Sequence, residues 1–265
     1  MVTHSLEYAD RGVSGRIGGS PDGERPDSEA EVHRLWESRA RVVLTPVAAP
    51  SILGLFGFAA ATLMVASNLA GWWGTTKSLV YLVPFCITFG GVAQFLAGMW
   101  SYKARDGLAT AMHGMWGSFW IAWGFLELLM AAKVIPMPAH AAVYFPAFGF
   151  WFIMLGLLTG IGAIAAIPRG AGLVGTLGCL SAGSCLLACS FLSNSLGVRE
   201  AGGWVLVASV GFAVYTAAAL LFMEASGGKT VLPLGKRSRE ANLPTSQVVR
   251  PIEYARGMPG VKVGQ

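Results

Sequence analysis

Six stretches of about 20 apolar residues, each nearly free of charge, set the limits on what this chain can fold into. They run over residues 51–73, 79–100, 110–131, 143–167, 173–193 and 204–225. A helix needs roughly 20 residues to cross the hydrocarbon core of a bilayer. The links between the stretches are short: "GTTKS", "SYKARDG", "KVIPMPAH", "PRGAG" and "NSLGVREAGG". No stretch alternates apolar and polar residues as a barrel strand would. Helices are the other structure that satisfies every backbone group in lipid. The sequence therefore predicts an all-α polytopic membrane protein, a bundle of six transmembrane helices. Composition agrees: 54% of the 265 residues are hydrophobic and 12% charged, against about 25% charged in a soluble domain. The charges gather in two polar tails. The expected division is a disordered cytoplasmic tail over 1–45, the six-helix domain over 46–228, and a second cytoplasmic tail over 229–265.

Lys and Arg predict which way the bundle faces. Both tails, the second link (Lys103, Arg105) and the fourth link (Arg169) share one side and hold 16 of the 19 basic residues. The other side has Lys77, Lys133 and Arg199. Both termini are thus expected in the cytoplasm, with the bundle integral to the plasma (inner) membrane. Trp72, Trp73, Trp100, Tyr102 and Trp204 sit at span ends, where a ring with one apolar and one hydrogen-bonding side is favoured. The net charge of +5 is read as this topology signal, not as a nucleic-acid patch, because no binding motif accompanies it. The first 40 residues are polar and read as lacking a signal peptide. Cys86, Cys179, Cys185 and Cys189 have neither zinc-ligand nor CxxC spacing and read as small buried hydrophobes.

Glycine is abundant, at 35 residues. Lipid gives helices no hydrophobic reason to touch, so they associate where small residues let backbones approach. Small residues recur at helical spacing: Gly54 and Gly57; Gly90, Gly91, Ala97 and Gly98; Gly114 and Gly117; Gly156 and Gly160; Gly172, Gly175 and Gly178. Close packing accounts for most of them. Some would also leave room for a small permeant. Pro50 opens the first span, as suits a residue whose missing N–H would be unpaired in a first turn. The free amides of that turn, from Ser51 to Leu53, form an anion-attracting helix start at the cytoplasmic mouth.

Four ordered blocks carry a resemblance. "PSILGLFGFAAATL", "FGGVAQFLAGMWSYK", "ATAMHGMWGSFW" and "GKTVLPLG" resemble the acetate uptake transporter family, the succinate–acetate permeases, over about residues 49–235. The resemblance implies a six-helix protomer, a homohexamer, and passage of acetate or similar small monocarboxylates with protons. It places the signature motif and cytoplasmic mouth at Pro50, Ser51, Leu53, Gly54 and Leu55. It implies a narrow point at Phe58, Trp116 and Leu180. This chain departs from the family pattern at Ala49 (Asn in the family), Ile52 (Pro), Ser101 (acidic) and Trp116 (Tyr). The larger indole bears on substrate size.

Other polar residues in the spans are candidates for the route or for structure. Gln94 can line a pore or bond a neighbouring helix. Asn68, with Ser67, can line an outer vestibule or cap a helix. Glu127 can attract cations or couple protons, or reach the interface beside Lys133. His113 can be an interfacial histidine or a proton relay, and Glu224 reads as a residue of the cytoplasmic interface. No catalytic constellation, cofactor motif or metal-ligand set is visible, so the chain is not expected to be an enzyme. The expected partners are a small carboxylate, protons, the bilayer and further copies of the chain. Two rival readings remain: a urea or amide channel of similar build, and a non-transporting membrane sensor or scaffold.

Overall fold

The computed structural model describes residues 47–136 and 145–237. The predicted N-terminal tail, most of the C-terminal tail and the start of the fourth predicted span lie outside the described residues. Those residues are all-helical, with no strand. Helix α1 is Pro50–Leu69, α2 is Lys77–Lys103, α3 is Gly107–Ala131, α4 is Pro146–Ala165, α5 is Ala171–Ser193 and α6 is Leu196–Ala225. All but α3 are long and apolar enough to cross a membrane by length and composition. Helix α3 is long enough at 25 residues, but its tryptophans, glycines, His113 and Glu127 dilute its hydropathy.

The helix boundaries have local causes. Pro50 and Pro146 stand in the first turns of α1 and α4, where proline costs no hydrogen bond. The Asp106 carboxylate caps α3 by accepting from the Ala109 amide at 2.9 Å, which satisfies one of the orphan donors of a helix start. Ser195 caps α6, its hydroxyl accepting from the Val198 amide at 3.4 Å. That cap starts α6 eight residues before the first of the expected 204–225. Helix α1 stops at Leu69, short of the expected 73, because Gly71 and Gly74 turn the chain at φ 78° and 62°.

Helix α2 is the irregular one. It emerges from a 3₁₀ segment that begins one residue earlier, Thr76–Leu82, passes through a short α turn at Val83–Phe85, widens to a π-helix over Cys86–Ala93, and returns to α geometry at Gln94–Lys103. Pro84 lacks the N–H that would close the preceding turn. The π segment brings the Phe89 carbonyl against Gly57 of α1, so that any side chain at 57 would strike it. Further along, Gly98 of α2 lies on the backbone of Gly114 in α3. A Cβ added at 98 would come to 2.6 Å from the Gly114 amide nitrogen.

The helices pack in chain order around a ring. α1, α2 and α3 form one run, α4, α5 and α6 a second, and α6 closes on α1. The seam between α3 and α4 has the sparsest packing of the ring. The starts of α1, α3 and α5 and the end of α6 share one end, here the tail end. Trp72 and Trp204 meet at the opposite, far end with ring centroids 5.3 Å apart. After α6 the chain folds back as a strap across the tail end. Tyr215 donates its hydroxyl to the Pro233 carbonyl at 2.8 Å. The Ala171 amide, at the start of α5, donates to the Gly235 carbonyl at 3.2 Å. Leu234 of the strap is buried.

Candidate functional site

Among the described residues, the inside of the ring holds a cavity towards each end. The tail-end cavity is about 60 Å³, several times the roughly 10–15 Å³ that one water needs. The far-end cavity is about 460 Å³. Trp116 and Leu180 line both cavities, and Phe58 lines the tail-end one. These three side chains are 2–3% exposed. The rings of Phe58 and Trp116 meet edge to face at 6.3 Å and 71°, a favoured aromatic geometry. The residues named for the narrow point therefore come from α1, α3 and α5 and stand together between the two spaces.

The tail-end cavity is apolar with a few polar groups on its wall. Ser51 of the first turn of α1 lines it, together with Leu55, Gln94, His113, Arg169 and Leu234. The Gln94 Oε1 and His113 Nδ1 atoms are buried and have no hydrogen-bond partner among the described residues. Burying a polar group unpaired is costly, so a hydrogen-bonding guest in this space has two groups to satisfy. His113 is 6% exposed, with its ring against Gly54 of α1.

The other residues of the signature motif divide by helix face. Pro50, Ser51, Gly54 and Leu55 are buried, and Leu53 is exposed on the outside of α1. Asn68 lines neither cavity. Its side-chain amide donates to the carbonyls of Trp73 at 2.8 Å and Thr75 at 3.2 Å, which pins the first link. Glu127 is half-buried on the wall of the far-end cavity. Lys77 and Arg199 line the same cavity, as does a run of rings that includes Phe119, Phe148, Phe152 and Phe191.

Sequence reasoning missed two features. The first is an ion pair at the tail end. Arg169 Nη1 lies 2.7 Å from one Asp106 carboxylate oxygen and 2.8 Å from the other. The pair joins the start of α3 to the link before α5. Asp106 caps α3, and its partner lies 63 residues away in the chain. The second is Thr159 on α4, whose hydroxyl accepts from the Trp116 indole N–H at 3.0 Å. Nothing marks that threonine in "FIMLGLLTGIG".

Comparison with known proteins places this architecture. A family model, that of the GPR1/FUN34/yaaH family, matches residues 36–231, which include every lining residue named above except Leu234. The chain is 28% identical over 172 residues to a protein of Yarrowia lipolytica named glyoxylate pathway regulator, covering 63% of this chain and 62% of that protein. It is 25% identical to the succinate-acetate/proton symporter SatP of Escherichia coli, over 72% of this chain and 97% of SatP. It is 24% identical to the acetate transporter protein patA of Aspergillus clavatus, over 74% and 81%. Among solved structures, the bacterial acetate channel SatP superposes with a TM-score of 0.65 at 23% identity, over 72% of this chain and all of that one. With three-quarters of its length under one family model and the fold of a solved channel, this chain belongs to the GPR1/FUN34/yaaH family.

Proposed function

We propose that this chain is a membrane transporter or channel for acetate and similar small monocarboxylates, with succinate a further candidate, driven together with protons. The observation that carries the reading is the pair of cavities that share Trp116 and Leu180 as walls. Two spaces separated by a few side chains are what a solute route with one narrow point requires. Phe58, Trp116 and Leu180 are the narrow point in this reading. An apolar constriction gates by dewetting and passes small solutes that shed their water. The relatives named for acetate and succinate support the substrate class.

The tail-end cavity suits a carboxylate. Ser51 at the start of α1, His113 and Gln94 supply hydrogen-bonding groups, and Arg169 adds positive charge that Asp106 largely neutralises. A small acid would be held weakly there and released quickly. In this reading all six helices cross the plasma membrane, and α3 does so because its less apolar residues face the interior of the ring. Lys103, Arg105, Arg169, Lys229, Lys236 and Arg237 put the tail end in the cytoplasm. The assembly is a homohexamer.

Uptake of radiolabelled acetate into proteoliposomes tests the function. We expect uptake above that of empty liposomes, rising when the outside is made acidic. No uptake under either a proton or an acetate gradient would refute the proposal. Urea passing as fast as acetate would point instead to a channel for neutral solutes.

A further inference from the structure

We propose that Thr159 is a positioning residue: its hydroxyl holds the Trp116 indole across the junction of the two cavities and thereby sets the largest acid that passes. The claim rests on the junction being the substrate route, and it goes beyond that reading by assigning control of the narrow point to a residue outside it.

The indole is wedged between Phe58, with centroids at 6.3 Å, and Phe119, at 5.1 Å. Ring contacts of this kind are weakly directional and let a ring pivot. The hydrogen bond to Thr159 Oγ1 at 3.0 Å is the directional contact. It crosses the α3–α4 seam, where the two helices otherwise touch little. Thr159 is itself well fixed. It is fully buried, and a β-branched side chain on a helix has few rotamers. Its helix is clamped to α5, with Ser181 donating to the Gly156 carbonyl at 2.7 Å. The indole of Trp116, carried on α3, is thus fastened to the α4–α5 pair on the opposite side of the junction.

Two internal contrasts show that this contact is not the default for such groups here. Trp120, one turn further along α3, is as buried as Trp116, yet its indole N–H has no partner among the described residues. An unfastened tryptophan is therefore tolerated in this core. Among hydroxyls, Ser101, Thr176, Ser184 and Thr216 each donate to the carbonyl four residues back in their own helix. Thr159 has the Trp116 indole as its hydrogen-bond partner among the described residues. The ring it holds separates the cavities, so releasing it widens the passage.

The test compares fluxes of acetate and butyrate through proteoliposomes containing the full chain, with Thr159→Val, Thr159→Ala and Thr159→Ser. Valine keeps the shape and removes the acceptor; serine keeps the acceptor. We expect valine and alanine to raise the butyrate-to-acetate ratio about five- to tenfold, roughly the factor that one lost buried hydrogen bond releases. Serine is expected to keep the wild-type ratio. In a Trp116→Phe background, which has no N–H to donate, Thr159→Val is expected to change nothing further. The Trp116 indole ¹⁵N–H resonance, assigned by its loss in Trp116→Phe, is expected to move in Thr159→Val and stay in Thr159→Ser. That readout needs no transport. Wild-type acetate flux with an unchanged ratio and an unmoved resonance in the valine variant would overturn the role of Thr159. Absence of wild-type flux would instead overturn the route on which it rests, and the proposal with it.

Discussion

Asp106 does two jobs. One carboxylate oxygen accepts the first-turn amide of α3 and the pair of them holds Arg169. Removing one partner of a buried ion pair leaves an uncompensated charge and costs about 3–5 kcal/mol. Arg169→Met is accordingly expected to lower the melting temperature of the detergent-solubilised protein by on the order of 10 °C. Adding Asp106→Asn should restore part of that fall, since no lone charge is then left. Equal or greater loss in the double variant would show that the cap, not the charge pair, matters more. Residues of this kind are hard to read from a chain. Phe58 and Trp116 sit in motif blocks with a known pattern, whereas Leu180 lies outside those blocks and follows only from the resemblance, which implies a leucine of the fifth span at the narrow point. Arg169 was legible only as a basic residue near a membrane end, and Thr159 not at all. Their roles depend on partners 63 and 43 residues away. The burial of His113 likewise depends on another helix, since its ring lies against Gly54 of α1.

Among the elements, the α2–α3 crossing and the strap are the most exposed to test. Gly98 meets Gly114 backbone to backbone, and backbone cannot move aside as a side chain can. Gly98→Leu is expected to cost about 1–3 kcal/mol through overpacking, read as a lower midpoint in thermal unfolding; an unchanged midpoint would mean the helices can separate freely. Leu234 anchors the strap beneath the tail-end cavity, and Leu234→Ala is expected to cost about 2 kcal/mol. Faster proteolytic clipping of residues 226–237 in that variant would be the accompanying sign. The existence of the apolar stretches was plain in the sequence, since runs of 20 uncharged residues leave few alternatives. Their details were less so. The early start of α6 depends on a serine cap inside a polar link. The π segment of α2 comes just after Pro84, and its own Phe89 carbonyl lies where only a glycine, Gly57 of α1, leaves it space. Neither changes mean hydropathy, the signal that reveals the spans.

The described helices hold a cluster of rings and the cavities inside and carry large apolar side chains outside, among them Phe85, Phe150, Trp151 and Ile164. Lipid or further protomers can cover such a surface. If the proposed homohexamer is right, native mass spectrometry from mild detergent should find six copies, and a monomer at all concentrations would contradict it. The central claim is that solute passes between the two cavities at Trp116 and Leu180. The most direct test is acetate flux through proteoliposomes holding equal amounts of wild type, Trp116→Ala and Leu180→Trp. Opening the junction with alanine should raise acetate flux and admit butyrate, and filling it with a second indole should cut acetate flux at least tenfold. Equal flux through all three folded proteins would mean that the route lies elsewhere.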